Sequence, residues 1–217
     1  MQLFLRSFLT VLTVLGLSIS SASAHEFYWQ DDGTKLSLSF PDSWRMVHDQ
    51  KADDVLTIVA PSDGAFPMCR MRVREDRRSV IYPARFSPNI QRINYSRDFW
   101  EDYIGEFRAA RLDEVQDNAG LGRGFGSYAH MSFISDAGPR MKRRGLALAS
   151  IYRDKAFILE CSAEASTFET WYPVFRHIAS TVDFRKEMFE LPGGYYRYFP
   201  GDGVIRIHNS GGKVAIY

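Results

Sequence analysis

The chain holds two cysteines, Cys69 and Cys161, and each falls in a run that alternates apolar and polar residues. In Cys69-Arg70-Met71-Arg72-Val73-Arg74 the cysteine shares a face with Met71 and Val73. In Phe157-Ile158-Leu159-Glu160-Cys161 it shares one with Phe157 and Leu159. A period of two is the mark of a strand, whose successive side chains point to opposite sides. Both thiols therefore point to the buried side of a sheet. In an oxidising compartment such a pair predicts one disulfide. Closing so long a loop would constrain the unfolded chain by roughly 4–5 kcal/mol in the loop-entropy picture. Two buried free thiols are the other reading. Two isolated cysteines lack the ligand spacing of a zinc site.

The compartment is read from the first residues. Arg6 supplies a positive start, Phe8 to Leu17 is an apolar stretch too short to span a bilayer, and Ser21-Ala22-Ser23-Ala24 offers a small-residue cleavage site. The expectation is a signal peptide over residues 1–24, cut after Ala24, and a periplasmic or secreted product; an uncleaved anchor is the alternative. No later stretch is apolar for long enough to span a membrane, so no transmembrane segment is expected in the mature chain. The formal net charge is +1, and Arg6 is the one charged residue that cleavage removes. A chain this close to neutral gives no whole-protein reason to expect nucleic acid or an anionic membrane as partner.

Residues 25–185 read as a single α+β domain. A short arm, His25 to Gly33, ends in the turn signal Asp31-Asp32-Gly33. A meander follows: a strand with Leu36, Leu38 and Phe40, a turn at Pro41-Asp42, a strand from Trp44, a polar loop and a strand from Val55 to Ala60. The rest of the chain is expected to cover one face of that meander. On the Cys69 strand, Arg70, Arg72 and Arg74 share the other face and form a basic ladder. The ladder reads either as a solvated face cross-paired with carboxylates or as an anion-contacting patch. Tyr82 to Tyr95, with two prolines and no period, reads as a long loop and a candidate functional element.

Arg97 to Leu112 reads as a helix, with Phe99, Trp100, Tyr103, Ile104 and Phe107 in one stripe and Ser96 as its cap. The glycines at 120, 122, 124 and 126 fail the dinucleotide fingerprint, because the third required glycine falls on Phe125 or Ser127. They read as a flexible helix-to-strand connection. Strands follow over Phe125–Ile134, Arg144–Tyr152 and Ala156–Ala163, the last two as a hairpin turning at Arg153-Asp154-Lys155. The basic loop tip Arg140, Lys142 and Arg143 between the first two reads as solvated. Ser166 and Glu169 form a capping box for a second helix with Trp171, Val174, Phe175, Ile178 and Val182 as its stripe. Pro173 leaves its start undecided between Thr167 and Pro173 itself. Residues 186–217 read as an aromatic, glycine-rich extension in which Val204–His208 and Lys213–Tyr217 form a β-hairpin.

The pieces LSFPDSW, DVLTIVAP, the aromatic helix, the hairpin GLALASIYRDKAFILECSA and the closing PVFRHIASTVDF together resemble the PsbP-like fold, named for the extrinsic photosystem subunit and found in bacterial exported proteins. The resemblance covers Leu36 to Phe184. It rests on the first turn Phe40-Pro41 with Trp44, and on Pro173, Phe175, Ile178 and Thr181 in the closing helix. The loop before Tyr95 and the tail after Phe184 depart from the family's compact pattern. The resemblance implies an antiparallel sheet covered by two helices in a non-enzymatic accessory or binding protein, and it brings no functional residue with it.

The residues themselves carry little catalytic spacing. None of His25, His48, His130, His177 and His208 stands in a zinc-protease pattern, and no G-x-S-x-G is present. His25 at a mature N-terminus, and His48 with Asp49, Asp53 and Asp54, are the metal arrangements worth weighing. An exposed terminus and a solvated loop are the simpler readings, and no cofactor is expected. The expectation is an exported accessory or binding protein whose partner is another envelope protein or a small ligand. Its contact surface is placed on Tyr195, Tyr196, Tyr198 and Phe199 of the tail and on Arg70, Arg72 and Arg74. A periplasmic hydrolase or metal-dependent enzyme with a cleft over the sheet is the alternative.

Overall fold

The computed structural model describes residues 25–47, 52–61, 64–78, 95–122, 124–135 and 140–185, and the short strands Tyr195–Tyr196, Arg206–His208 and Val214–Ile216. In chain order the elements are β1 (Glu26–Asp31), β2 (Leu36–Pro41), β3 (Arg45–Met46), β4 (Asp54–Val59), β5 (Met68–Glu75) and α1 (Arg97–Ile104). Then come β6 (Arg108–Leu121), β7 (Gly124–Ile134), β8 (Lys142–Tyr152), β9 (Lys155–Glu164), α2 (Phe168–Thr181) and β10 (Asp183–Phe184). The signal stretch, residues 1–24, lies outside the described residues, as do most of the 82–95 loop and Tyr198 and Phe199 of the tail.

A seven-stranded sheet ordered β3-β4-β5-β9-β8-β7-β6 is the body of the fold, and all its pairings are antiparallel. Its centre is buried on both faces. β9 is buried without a break from Ala156 to Ala163, so its apolar run does not alternate with exposed residues. What alternates is size and destination. Leu146 and Leu148 of β8 join the cluster beneath α2, with Phe157, Phe168, Phe175 and Ile178. Ala147 and Ala149 join the cluster beneath α1, with Ala129, Ala156 and the large rings of Trp100 and Tyr103. Small residues on the α1 side leave room for that helix's aromatics, and Trp100 is fully buried there.

The two helices thus lie on opposite faces, and the expectation that everything covers one face is corrected. The meander is corrected too. β2 leaves the main sheet and pairs with β1 and with β10, in a three-stranded sheet ordered β1-β2-β10. Leu36, Leu38 and Phe40 carry that sheet into the α2-side cluster. The arm after His25 is therefore the strand β1. Trp44 packs edge-on against Trp171, with ring centroids 6.0 Å apart.

The first helix ends at Ile104, half the length its aromatic stripe predicts. Gly105 turns back to the Asp102 carbonyl, and from Arg108 the backbone pairs with β7. A ladder along the outer edge of β7 gives these residues more backbone partners than a free helix end would. The ladder shifts register between Arg108 and Arg111, Leu112 and Glu114, and Asp117 and Ala119. Those bulges erase the alternation that would mark a strand. The glycine-rich segment accordingly joins strand to strand. Gly122 has φ +59°, and a Cβ there would lie 2.6 Å from Phe184 Cε2. Neither predicted cap forms: Ser96 and Thr167 hold the N-cap positions without a side-chain cap hydrogen bond. Pro173 sits inside α2, which starts at Phe168.

The hairpin of β8 and β9 stands as expected, with Arg153 at φ 59° in its turn. So does the bridge. Cys69 and Cys161 face each other across β5 and β9, their Cα atoms 4.0 Å apart, and are joined over 92 residues of chain. That separation suits a non-hydrogen-bonded antiparallel pair. In the extension, Arg206–His208 pairs antiparallel with Tyr195–Tyr196 and with Val214–Ile216.

Gly126 is the tightest of the described glycines: a Cβ there would meet the Ala149 carbonyl oxygen at 1.7 Å. Gly126→Ala is expected to cost about 1–3 kcal/mol through overpacking, read as a lowered denaturant midpoint at unchanged slope. An unchanged midpoint would mean that β7 and β8 do not approach so closely.

Candidate functional site

The ladder residues Arg70, Arg72 and Arg74 do share one face of β5, and that face lies beneath α1 and the turn after it. Arg70 Nε and Nη2 donate to Glu160 Oε2 at 3.0 and 2.7 Å, and the Tyr103 hydroxyl donates to the same oxygen at 2.7 Å. Glu160 stands opposite Arg70 in the register of β5 and β9. Arg72, only 2% exposed, donates through Nη1 to Glu106 Oε2 at 2.9 Å, and its Nε lies 3.3 Å from Asp54 Oδ1. Arg74 donates to Asp53 Oδ2 at 2.8 Å and to Glu106 Oε1 at 3.1 Å. The Arg72 guanidinium also lies over the Tyr103 ring and that of Arg70 over Phe107.

Cross-pairing with carboxylates is thus what the ladder does, and the face is interior at Arg70 and Arg72 while Arg74 stands half-exposed at its end. The sequence pattern does not disclose this, because a period of two says which residues share a face and not what covers it. Glu160, Tyr103 and Glu106 were missed as members. The available signal was Glu160 itself, a lone charge in the apolar run of β9.

The pairing sets the protonation of the acids. Burial alone would raise Asp53 and Glu106. The hydrogen bonds and charges of Arg72 and Arg74 outweigh it and hold both below the usual carboxylate range. Asp54 is pushed up, because burial outweighs the attraction of Arg70 and Arg72. Burial beside Glu160 also raises Tyr103, keeping its hydroxyl a donor.

Beside this network lies a cavity of about 220 Å³, lined among others by Arg70, Phe107, Phe133, Arg143, Glu160 and Ser162. Arg143 was expected at a solvated loop tip with Arg140 and Lys142. Arg140 and Lys142 are exposed, but Arg143 is the second residue of β8, 6% exposed, and turned inward. Its Nη2 donates to the Phe66 and Ser162 carbonyls, each at 2.8 Å, and its Nε to the Ser162 hydroxyl at 3.2 Å. Among the described residues no carboxylate lies within ion-pair distance of it. Burial lowers its affinity for the proton.

Tyr95, which follows residues 79–94, donates its hydroxyl to Asp76 Oδ2 at 2.6 Å, and Arg78, which precedes them, also binds Asp76. The described residues on either side of 79–94 are therefore tied together. Of the metal arrangements weighed against simpler readings, His25 is exposed, His48 and Asp49 lie outside the described residues, and Asp53 and Asp54 are engaged by arginines. Among the described residues no group of three or more histidines, cysteines and acids could hold a metal ion. Likewise no helix among them is long and apolar enough to cross a membrane.

No protein-family model matches the chain, and no curated protein does. Among solved structures it is similar to the PsbP of the cyanobacterium Synechocystis sp. PCC 6803, at 15% identity and a TM-score of 0.48, over 79% of this chain and 99% of that one. It is similar to LpqN, involved in cell envelope biogenesis of Mycobacterium tuberculosis, at 14% identity and a TM-score of 0.47, over 75% of this chain and 91% of that one. The Ran-binding protein Mog1p of Saccharomyces cerevisiae follows at 6% identity and a TM-score of 0.45, over 75% and 96%. The PsbP-like resemblance expected from the sequence is thus found in the structure, at low identity. Likeness at this level says nothing of function.

A group held below its ordinary pKa stabilises the fold above that value and loses its contribution as pH falls through the folded one. Asp53 and Glu106 should therefore make the protein lose stability below about pH 4. Glu106→Gln should lower the midpoint of denaturation at pH 7 and flatten its fall on the acid side. An unaltered acid limb would show that Glu106 is not paired.

Proposed function

We propose that this is an exported, periplasmic accessory or binding protein that acts by contact rather than by catalysis. The observation that carries the reading is the chemistry of the α1-side cavity. Its charged groups are guanidiniums, which hold their protons at any physiological pH, and carboxylates already engaged by arginine. Such groups recognise charge and shape; they are poorly suited to proton transfer or nucleophilic attack.

Export is supported by two independent features. The signal-like residues 1–24 are one. The bond between Cys69 and Cys161, which belongs to an oxidising compartment, is the other. Residues 25–185 form one domain in this reading, and residues 186–217 an extension with a hairpin. Tyr195, Tyr196, Tyr198 and Phe199 of the extension, with the 82–95 loop, form the surface for another envelope protein. From the ladder, Arg70 at the cavity and Arg74, whose side chain is 39% exposed, belong to the contact surface, and Arg72 does not.

Removing residues 191–217 should leave the unfolding midpoint within error of the full chain. It should also abolish the partner's band after crosslinking in intact cells. The same band in both proteins would take the extension out of the contact surface, and a collapsed midpoint would mean that it is part of the domain.

A further inference from the structure

Arg143 is a buried cation whose hydrogen-bond acceptors are all neutral; Glu160, across the same cavity, attracts it from beyond ion-pair distance. Its Nη2 and Nε meet the Phe66 and Ser162 carbonyls and the Ser162 hydroxyl, while the partner found for Nη1 is the Met141 sulfur at 3.9 Å. The side chain is fixed on three sides and lines the 220 Å³ cavity. A guanidinium taken out of water with no carboxylate in contact is costly to bury, and a negatively charged group brought into the cavity would offset that cost. The neighbouring arginines show the contrast. Arg70, Arg72 and Arg74 each hold at least one carboxylate within 3.1 Å.

We infer that Arg143 is the anchor of a binding site for a small monocarboxylate with an apolar stem. With Nε and Nη2 engaged by Ser162 and Phe66, Nη1 is the arm left to donate one charge-assisted hydrogen bond to a carboxylate oxygen. The stem is received by Phe107 and Phe133, whose rings stand 4.7 Å apart, together with Met68 and Ile134. The rest of the lining sets the charge. Glu106 and Glu160 border the same cavity but are each paired with an arginine, so a single negative charge is tolerated there while a dianion such as phosphate meets about twice the repulsion and is disfavoured. The size is set by the volume: 220 Å³ is the room of about seven waters, below the range of drug-sized sites. That fits a ligand on the order of ten non-hydrogen atoms. The site deepens the reading of this chain as a binding protein and rests on it, but it does not involve the extension.

Titration of the full exported chain with benzoate and with hexanoate, followed by calorimetry, tests the inference. Benzamide and inorganic phosphate are the controls. Benzoate or hexanoate should bind, benzamide should bind about tenfold more weakly or worse, and phosphate should not bind. Arg143→Met should keep the fold by circular dichroism and lose about tenfold or more in benzoate affinity. If that variant does not fold, Phe107→Ala, which leaves the guanidinium in place, should still weaken hexanoate. Benzamide binding as tightly as benzoate, benzoate affinity unchanged in Arg143→Met, or no binding by either carboxylate would overturn the assignment. Protein lacking residues 191–217 should bind benzoate like the full chain, so a failure of the contact-surface reading is told apart from a failure of this one.

Discussion

Arg72 lies at the middle of β5 with its guanidinium under Tyr103 and its charge met by Glu106, Asp53 and Asp54. The fold on the α1 side depends on that compensation. A seven-stranded sheet covered on both faces is costly unless most polar groups pointing into either layer find a partner. Three consecutive arginines on one face of a central strand would otherwise hold α1 away. Here the acids arrive from three directions: β9 with Glu160, the start of β4 with Asp54 and the preceding Asp53, and the turn after α1 with Glu106. The ladder is thus a clasp between elements far apart in sequence. Its net worth against an apolar core of the same shape is small, but removing one member alone leaves a buried charge exposed to its full desolvation cost.

The opposite face is held by ordinary apolar packing. Leu146, Leu148 and Phe157 meet Phe175 and Ile178 of α2, and the strand β2 closes the edge with Leu36, Leu38 and Phe40. The bridge between Cys69 and Cys161 crosses the same cluster and ties β5 to β9 at the register that also sets Arg70 opposite Glu160. One covalent link and one ion pair therefore specify the same alignment. A slip of one residue would turn Arg72 toward the apolar α2 face and break both. This shared register also fixes Ser162 beneath Arg143, which is how a loop-adjacent arginine becomes part of the interior.

Local patterns announced some of this and hid the rest. The alternation around Cys69 and Cys161 placed both thiols on one side, and the hairpin around Arg153 and Asp154 was legible because its strands are continuous and its turn is short. The strand β6 was not, because its bulges break the period and because Phe107 prolongs the helical stripe of Phe99 and Tyr103. The departure of β2 to a second sheet was invisible, since strand partners are long-range facts. Arg143 was misplaced for a related reason. It stands beside Arg140 and Lys142 in a basic run, and only its place on the face of β8 shared with Ala147 and Ala149 turns it inward. The glycines at 122 and 126 looked like flexibility and are instead places where Phe184 and Ala149 leave no room for a side chain.

The account stands on charge pairing inside a sheet covered from both sides, and the pair of Arg70 with Glu160 is its simplest member. A double-mutant cycle on Arg70→Met and Glu160→Gln, measured by denaturant unfolding, isolates that pair from the rest of the network. The account predicts a coupling energy above about 1 kcal/mol, beyond what exposed pairs reach. A coupling at or below the ~0.5 kcal/mol of a surface helix pair would contradict it, for it would put the ladder in water and α1 elsewhere.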